Sequence, residues 1–123
     1  MKSKRQITIL TDVERITCIV QKGNADRIVQ AAFKAGAQGA TVNYAQGSGV
    51  REKLGVLGVA VEAEKEVIQI IVSSEQTNRI FDAMYLAGQL DTPGMGFMYV
   101  TRLEKAGTYI PREVLQRIED QQA

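Results

Sequence analysis

The residues best suited to chemistry lie in one glycine-rich stretch, Val42 to Gly58, where Gly47, Gly49, Gly55 and Gly58 surround the charged triplet Arg51-Glu52-Lys53. Glycine permits positive φ and lets a bound group come close to backbone N–H donors, and Arg51 and Lys53 would add cationic contacts for an anion. The same stretch also reads as a long hairpin connection with solvated charges at its tip. A second Gly-x-Gly, Gly94-Met95-Gly96, sits just before a strand pattern. It is either a phosphate-binding turn or a plain tight turn after Pro93. Glu62, Glu64 and Glu66 alternate, so a strand would point them to one face. Such a stripe either holds a hard cation or stands solvated and paired with lysines, and the second reading is the simpler. Asp91 reads as a turn former, and Met84, Met95 and Met98 as packing residues.

Other chemistry is excluded by composition. The chain has no histidine, which rules out imidazole acid–base catalysis and the usual zinc and iron sites. Its single cysteine, Cys18, cannot form an intramolecular disulfide, and its neighbours Ile16, Thr17, Ile19 and Val20 mark it as a buried strand residue rather than a nucleophile. With no paired acid–base set at a convincing spacing, no enzyme activity is expected. Fifteen Lys and Arg against 14 Asp and Glu give a formal charge of +1, so no global field draws nucleic acid. No apolar run approaches the ~20 residues that span a bilayer, and Met1 to Gln6 lacks the apolar core of a secretory signal. The expectation is a cytoplasmic protein that is not membrane-inserted.

The elements that must position these residues follow from hydrophobic period. At 123 residues with 45% apolar content, residues 1–123 fit a single domain with its own core. Residues 1–12 form an N-terminal extension whose apolar patch, Ile7 to Leu10, would add an edge strand or lie across the sheet. Glu14 to Gln21 is nearly continuous and β-branched, the pattern of a central strand. Asn24 suits a helix N-cap, Ile28, Val29, Ala32 and Phe33 recur at helical spacing, and Gly36 suits the helix stop. Gly39 to Tyr44 reads as a second strand, residues 45–58 as a glycine-rich loop, and Val59 to Val72 as one long strand bent at Glu64-Lys65-Glu66. Ser73 with Gln76 forms a weak capping box before a helix marked by Ile80, Met84 and Leu86 and ended by Gly88. Phe97 to Leu103 is a fourth strand. Residues 108–123 form a C-terminal segment in which Pro111 starts a short helix.

The order β-α-β-β-α-β predicts an α+β, ferredoxin-like fold, with two helices on one face of a four-stranded antiparallel sheet. Its halves are similar in length with no clear sequence repeat. The other sheet face must be covered, and association between copies is the simplest solution, so a homo-oligomer is expected.

Gly39-Ala-Thr-Val42 with Gly47-Ser-Gly49, Arg51 to Gly58, Glu64-Lys-Glu-Val-Ile68 and Leu90 to Phe97 together resemble the P-II signal transduction family, from Ile16 to Leu103, in its divergent P-II-like branch. The resemblance implies a homotrimer with adenine-nucleotide sites in the clefts between subunits. It also implies a loop after the second strand that docks on a membrane transporter or metabolic enzyme of nitrogen and carbon metabolism. Carried over residue by residue, it matches Gly39 and Thr41 to the cleft lining, Gly47 and Gly49 to the Gly-x-Gly that opens the docking loop, Lys65 to the lysine at the loop's far base, and Gly94, Met95 and Gly96 to the phosphate-binding turn; with Ile19 and Arg51 these are the candidate nucleotide or anion contacts. It assigns the docking loop to Gln46, Ser48, Val50, Glu52, Lys53 and Leu54.

The departures narrow the ligand. The family's phosphate-contacting lysine corresponds to Phe97, its two C-terminal arginines fall near Thr108 and Ile110, and its magnesium- and 2-oxoglutarate-holding glutamine aligns with Arg51. The loop is shorter and has no tyrosine at its tip, Tyr44 lying at the strand end instead. Losing three cationic contacts weakens a polyphosphate by several kcal/mol. The expected ligand is therefore AMP, ADP or ATP without magnesium, or another small anion. The alternative is a metal- or bicarbonate-responsive module on the same trimeric scaffold, without nucleotide.

Overall fold

A computed structural model describes residues 5–46, 64–114 and 116–117. Among the described residues the strands are β1 (Ile9–Leu10), β2 (Val13–Gln21), β3 (Thr41–Gln46), β4 (Glu64–Ser73), β5 (Gly96–Arg102) and β6 (Ala106–Gly107); the helices are α1 (Ala25–Lys34) and α2 (Thr77–Gly88), and residues 112–114 and 116–117 are also helical. β3, β4, β2 and β5 lie in that order in one antiparallel sheet. With β2 and β4 central and β3 and β5 at the edges, this is the expected ferredoxin-like sheet. β1 and β6 pair separately, so the apolar patch near the N-terminus forms a small second sheet instead of extending the first.

Alternation along the central strands decides the two faces. Ile16, Cys18 and Val20 of β2 and Ile68, Ile70 and Val72 of β4 point under the helices and are buried. Ile28 and Ala32 of α1 and Ile80 and Met84 of α2 close the core over them. Cys18 is inside, as its neighbours require. The opposite face carries Arg15, Thr17 and Ile19 of β2 beside Val67, Gln69 and Ile71 of β4, with Phe97 and Tyr99 in register on β5. Ile71, Phe97 and Tyr99 are 47%, 65% and 40% exposed, and the rings of Phe97 and Tyr99 lie 5.9 Å apart. The same face buries Arg15 Nε and Thr17 Oγ1, which have no hydrogen-bond partner among the described residues.

Both helix starts differ from the capping expected of them. Asn24 makes no side-chain cap; its Nδ2 donates to Gln21 O at 3.2 Å. The free N–H groups at the start of α1 are taken by the carboxylate of Glu66, which accepts from Gly23 N at 2.6 Å and Ala25 N at 3.1 Å. A carboxylate there also complements the helix dipole. The proposed Ser73–Gln76 box does not form either, because Gln76 has no side-chain cap bond. Thr77 Oγ1 lies 2.5 Å from Glu14 Oε1 and 3.2 Å from Ser73 O, so its one hydrogen is shared between a distant carboxylate and the preceding turn.

These two carboxylates expose a repeat that local pattern reading missed. Residues 14–36 and 66–88 superpose in sequence at an offset of 52, and nine of the 23 positions are identical, among them Glu14/Glu66, Ile16/Ile68, Val20/Val72, Arg27/Arg79, Ile28/Ile80 and Gly36/Gly88. The contacts obey the same offset with the halves exchanged. Glu66 caps the first helix, and Glu14 holds the second. Arg27 Nε donates to Ala87 O at 2.7 Å, and Arg79 Nε donates to Ala35 O at 2.8 Å, so each helix satisfies a carbonyl at the other's C-terminal end. The matched side chains thus define a pseudo-twofold axis between the halves.

Candidate functional site

The predicted site residues fall into two groups. The first surrounds the N-terminal end of β5. Gln21 Nε2 donates to Gly94 O at 2.7 Å, Gln21 stands opposite Lys65 on β4, and Ile19 stands opposite Phe97 and Val67. Gly94 has φ +79, in the left-handed region open to glycine. Gly96 pairs with Val20, and a Cβ there would lie 2.6 Å from Ile19 O and 2.8 Å from Val20 Cγ1. Close approach of β5 to β2 therefore accounts for the second glycine of Gly94-Met95-Gly96. The N–H of Met95 donates to Thr92 O at 3.3 Å.

Beside this group, where β3 ends and β4 begins, is an open cleft of about 580 Å³ lined by Lys22, Tyr44, Ala45, Gln46, Glu64 and Lys65. Lys22 Nζ and Glu64 Oε2 form an ion pair at 3.1 Å, with both side chains more than half exposed. At that exposure the pair orders the rim more than it stabilises the fold. Lys22, Gln21 and Lys65 gather here because the turn after β2 meets the first residues of β4. Lys22 N also donates to Glu64 O at 3.3 Å.

The second group lies at the diagonally opposite corner. Gln38, Gly39, Ala40 and Thr41, entering β3, line a shallow cleft of about 400 Å³ with Gln69 and Ile71. Thr41 pairs with Gln69, whereas Gly96 pairs with Val20, and β3 and β5 are the two edges of the sheet. One chain therefore does not bring Gly39 and Thr41 together with Gly94, Met95 and Gly96. The two segments are the helix-to-strand connections of the two halves, and the pseudo-twofold axis itself sets them apart.

Of the predicted docking loop, Gln46 ends β3. Gly47, Ser48, Gly49, Val50, Arg51, Glu52, Lys53 and Leu54 lie outside the described residues, as do residues 59–63 of the expected long strand. Of the glutamate stripe, Glu62 is also outside them, Glu64 is paired with Lys22, and Glu66 is buried on the two N–H groups at α1. Among the described residues no group of three His, Cys, Asp or Glu side chains could hold a metal ion. Burial pushes the Cys18 thiol up to about 12, which leaves no thiolate to act as nucleophile or ligand near neutral pH.

Two residues that organise the site were not singled out in the sequence: Gln21, which fixes the Gly94 turn, and Lys22, which sets the strand end beside the cleft. Glu66 stood out only as part of the glutamate stripe, and its identity with Glu14 at the 52-residue offset was the signal that could have found its role at the helix start.

Residues 13–113 match the family model described as nitrogen regulatory protein P-II. No curated protein matches the sequence. Among solved structures the fold is similar to that of Arabidopsis thaliana PII bound to citrate, with a TM-score of 0.59 and 18% identity over 76% of this chain and 79% of that one. Among the described residues no helix is long and apolar enough to cross a membrane.

Proposed function

Because the chain belongs to the nitrogen regulatory protein P-II family, we propose that it is a regulator without catalytic chemistry of its own. In this reading it senses a small anion, foremost an adenine nucleotide, between the subunits of a homotrimer. Ligand binding there orders the segment beginning at Gly47, and that segment docks on a transporter or metabolic enzyme. A ligand that prefers the ordered loop shifts the loop's population, an order–disorder switch.

The observation that carries this reading is the separation of the two glycine segments. Gly39 and Thr41 occupy one corner of the sheet while Ile19, Lys65, Gly94, Met95 and Gly96 occupy the opposite one. A site that uses both sets requires two copies. The open sheet face supports association independently, since Ile71, Phe97 and Tyr99 are exposed beside Arg15 Nε and Thr17 Oγ1, which lack a partner among the described residues. The citrate complex of the Arabidopsis protein is in keeping with an anionic ligand on this fold. Glu66 is spent on capping α1, which weakens the metal-responsive alternative.

Isothermal titration with AMP, ADP and ATP, each with and without magnesium, tests the proposal. Saturable binding to a three-copy assembly, weakened by Lys65→Ala and by Thr41→Ala alike, is expected. Failure of all three nucleotides to bind would sink the nucleotide reading and turn the search to other anions, bicarbonate first. A monomer in analytical ultracentrifugation would sink the shared site.

A further inference from the structure

We propose that the segment from Arg5 to Leu10 is a strap that holds the C-terminal segment to the end of the sheet and is poised to close further along it. The strap precedes the region matched by the family model, which begins at residue 13, and is therefore a feature of this chain outside that match.

The roots of both segments are tied down. Leu103 N donates to Val13 O at 3.2 Å where the C-terminal segment leaves β5, and Ser74 N donates to Asp12 O at 3.0 Å where the strap enters β2. Between these roots the two segments meet in only two pairs, Ile9 with Gly107 and Leu10 with Ala106. A ribbon this short is marginal without further support. The approach is an ordinary one, since a Cβ at Gly107 would meet Thr8 O at 3.7 Å.

The antiparallel register also dictates what comes next. Continued beyond its two pairs, it would set Thr8 against Thr108, Ile7 against Tyr109 and Gln6 against Ile110; Pro111, with no N–H to give, would end the series. Side chains directly opposite in a closed ladder stand about 5 Å apart at Cβ and cover one another. Ile7 and Tyr109 instead stand 83% and 84% exposed. The largest apolar pair the register offers is thus unmade, while the bonds that would lead the chains toward it are formed. Closing the strap would bury Ile7 against Tyr109 and draw residues 108–110 into the ladder. Opening it would release the described residues from Glu104 to Val114.

Paired cysteines at Ile7→Cys and Tyr109→Cys test the register, with Ile7→Cys and Thr108→Cys as a control one residue out of step, whose side chains point to opposite faces. Under mild oxidation the first pair should form an intramolecular disulfide several-fold faster than the control. Equal rates, or cross-links only between chains, would overturn the strap. Cys18 is buried and serves both variants equally. A second measurement follows tryptic cleavage after the exposed Lys105 and Arg112. Cleavage should accelerate several-fold when Ile7 to Leu10 is replaced by Gly-Ser-Gly-Ser and slow when the cross-link is closed, with amide exchange in β2 and β4 unchanged. Cleavage indifferent to both changes would refute a holding role.

Discussion

The two halves of the molecule share a frame and differ at its corners. In residues 14–36 and 66–88 the inward aliphatics, the helix-bridging arginines and one glutamate recur at the same offset. The glutamates nonetheless do different work. Glu66 accepts two backbone N–H groups from the turn into α1, whereas Glu14 meets α2 only through the hydroxyl of Thr77. The first arrangement satisfies orphan donors that have no other partner, and the second adds one hydrogen bond to a helix start that the Ser73 carbonyl already supports. The turn held by Glu66 carries Lys22 to the cleft at the ends of β3 and β4. The demanding cap therefore stands beside the candidate site, and the dispensable one lies away from it.

That difference predicts unequal costs for the same change. Glu66→Ala strands two backbone donors, that of Ala25 buried and that of Gly23 partly so, and should cost about 2 kcal/mol, while Glu14→Ala should cost about 1 kcal/mol. Urea denaturation of the two variants measures both. Equal losses would show that the repeat outweighs the local geometry. Glu66→Gln keeps one acceptor oxygen and should recover part of the loss.

The glycines that open β3 and β5 divide in the same way. A Cβ at Gly96 would fall 2.6 Å from Ile19 O, a backbone atom that cannot swing aside, whereas Gly39 has nothing within 4 Å of its Cβ position. Gly96→Ala should cost about 2 kcal/mol and disturb the β2–β5 register. Gly39→Ala should leave stability within about 0.5 kcal/mol. Ligand titration then sharpens the contrast: a loss of binding in Gly39→Ala at unchanged stability would assign that glycine to the ligand rather than to the fold.

How much of this was legible in the sequence follows from the range of each interaction. The strands and helices emerged from period, because Ile16, Cys18, Val20, Ile28 and Ala32 repeat their burial every two or every three to four residues. The caps did not emerge, because Asn24 and Ser73 satisfy the local rule while Glu66 and Glu14 reach their helices across 41 and 63 residues of chain. The glycine segments stood out by composition, yet nothing in the spacing of Gly39 and Gly94 says that they lie at opposite corners; that follows from which strands are edges. The repeat was present in the letters and was missed because β-branched strands resemble one another. Only the paired Glu and Arg positions distinguish a copied half from a common pattern.

Cys18 and Ile70 occupy equivalent core positions, and only one of them titrates. Burial raises the Cys18 thiol from 9.0 to about 12, so the folded chain keeps a proton that the unfolded chain sheds. Its contribution is complete below pH 9.0 and is lost as the pH climbs from there toward 12. At one pH unit above the unfolded value the loss is about 1.4 kcal/mol. Comparing the wild type with Cys18→Ala between pH 8 and pH 10 isolates that term, and the variant should lose its share of the alkaline decline.

The smallest effects belong at the helix ends, where the halves have slipped by one residue. After α1 the left-handed residue is Gly36, φ +115, and the N–H groups of Gly36 and Ala37 return to Phe33 O and Ala32 O. After α2 the same pair of bonds forms from Gln89 and Leu90 to Leu86 O and Tyr85 O, but the left-handed residue is Gln89, φ 55, and not the expected stop, Gly88. Gly88 cannot be spared for packing reasons, since a Cβ there would lie 2.9 Å from Ile28 Cδ1. The second half therefore uses its glycine to let α2 approach α1 and bears the left-handed turn on a side chain. Gln89→Gly should relieve that turn and stabilise the chain by up to about 1 kcal/mol, less whatever the looser unfolded chain takes back. Gly36→Ala should cost about 1 kcal/mol or more, because its Cβ would also press to 3.0 Å from Arg79 Nη2. Thermal melts of the two variants that shifted in the same direction would show that the helix ends are not exchanging roles between the halves.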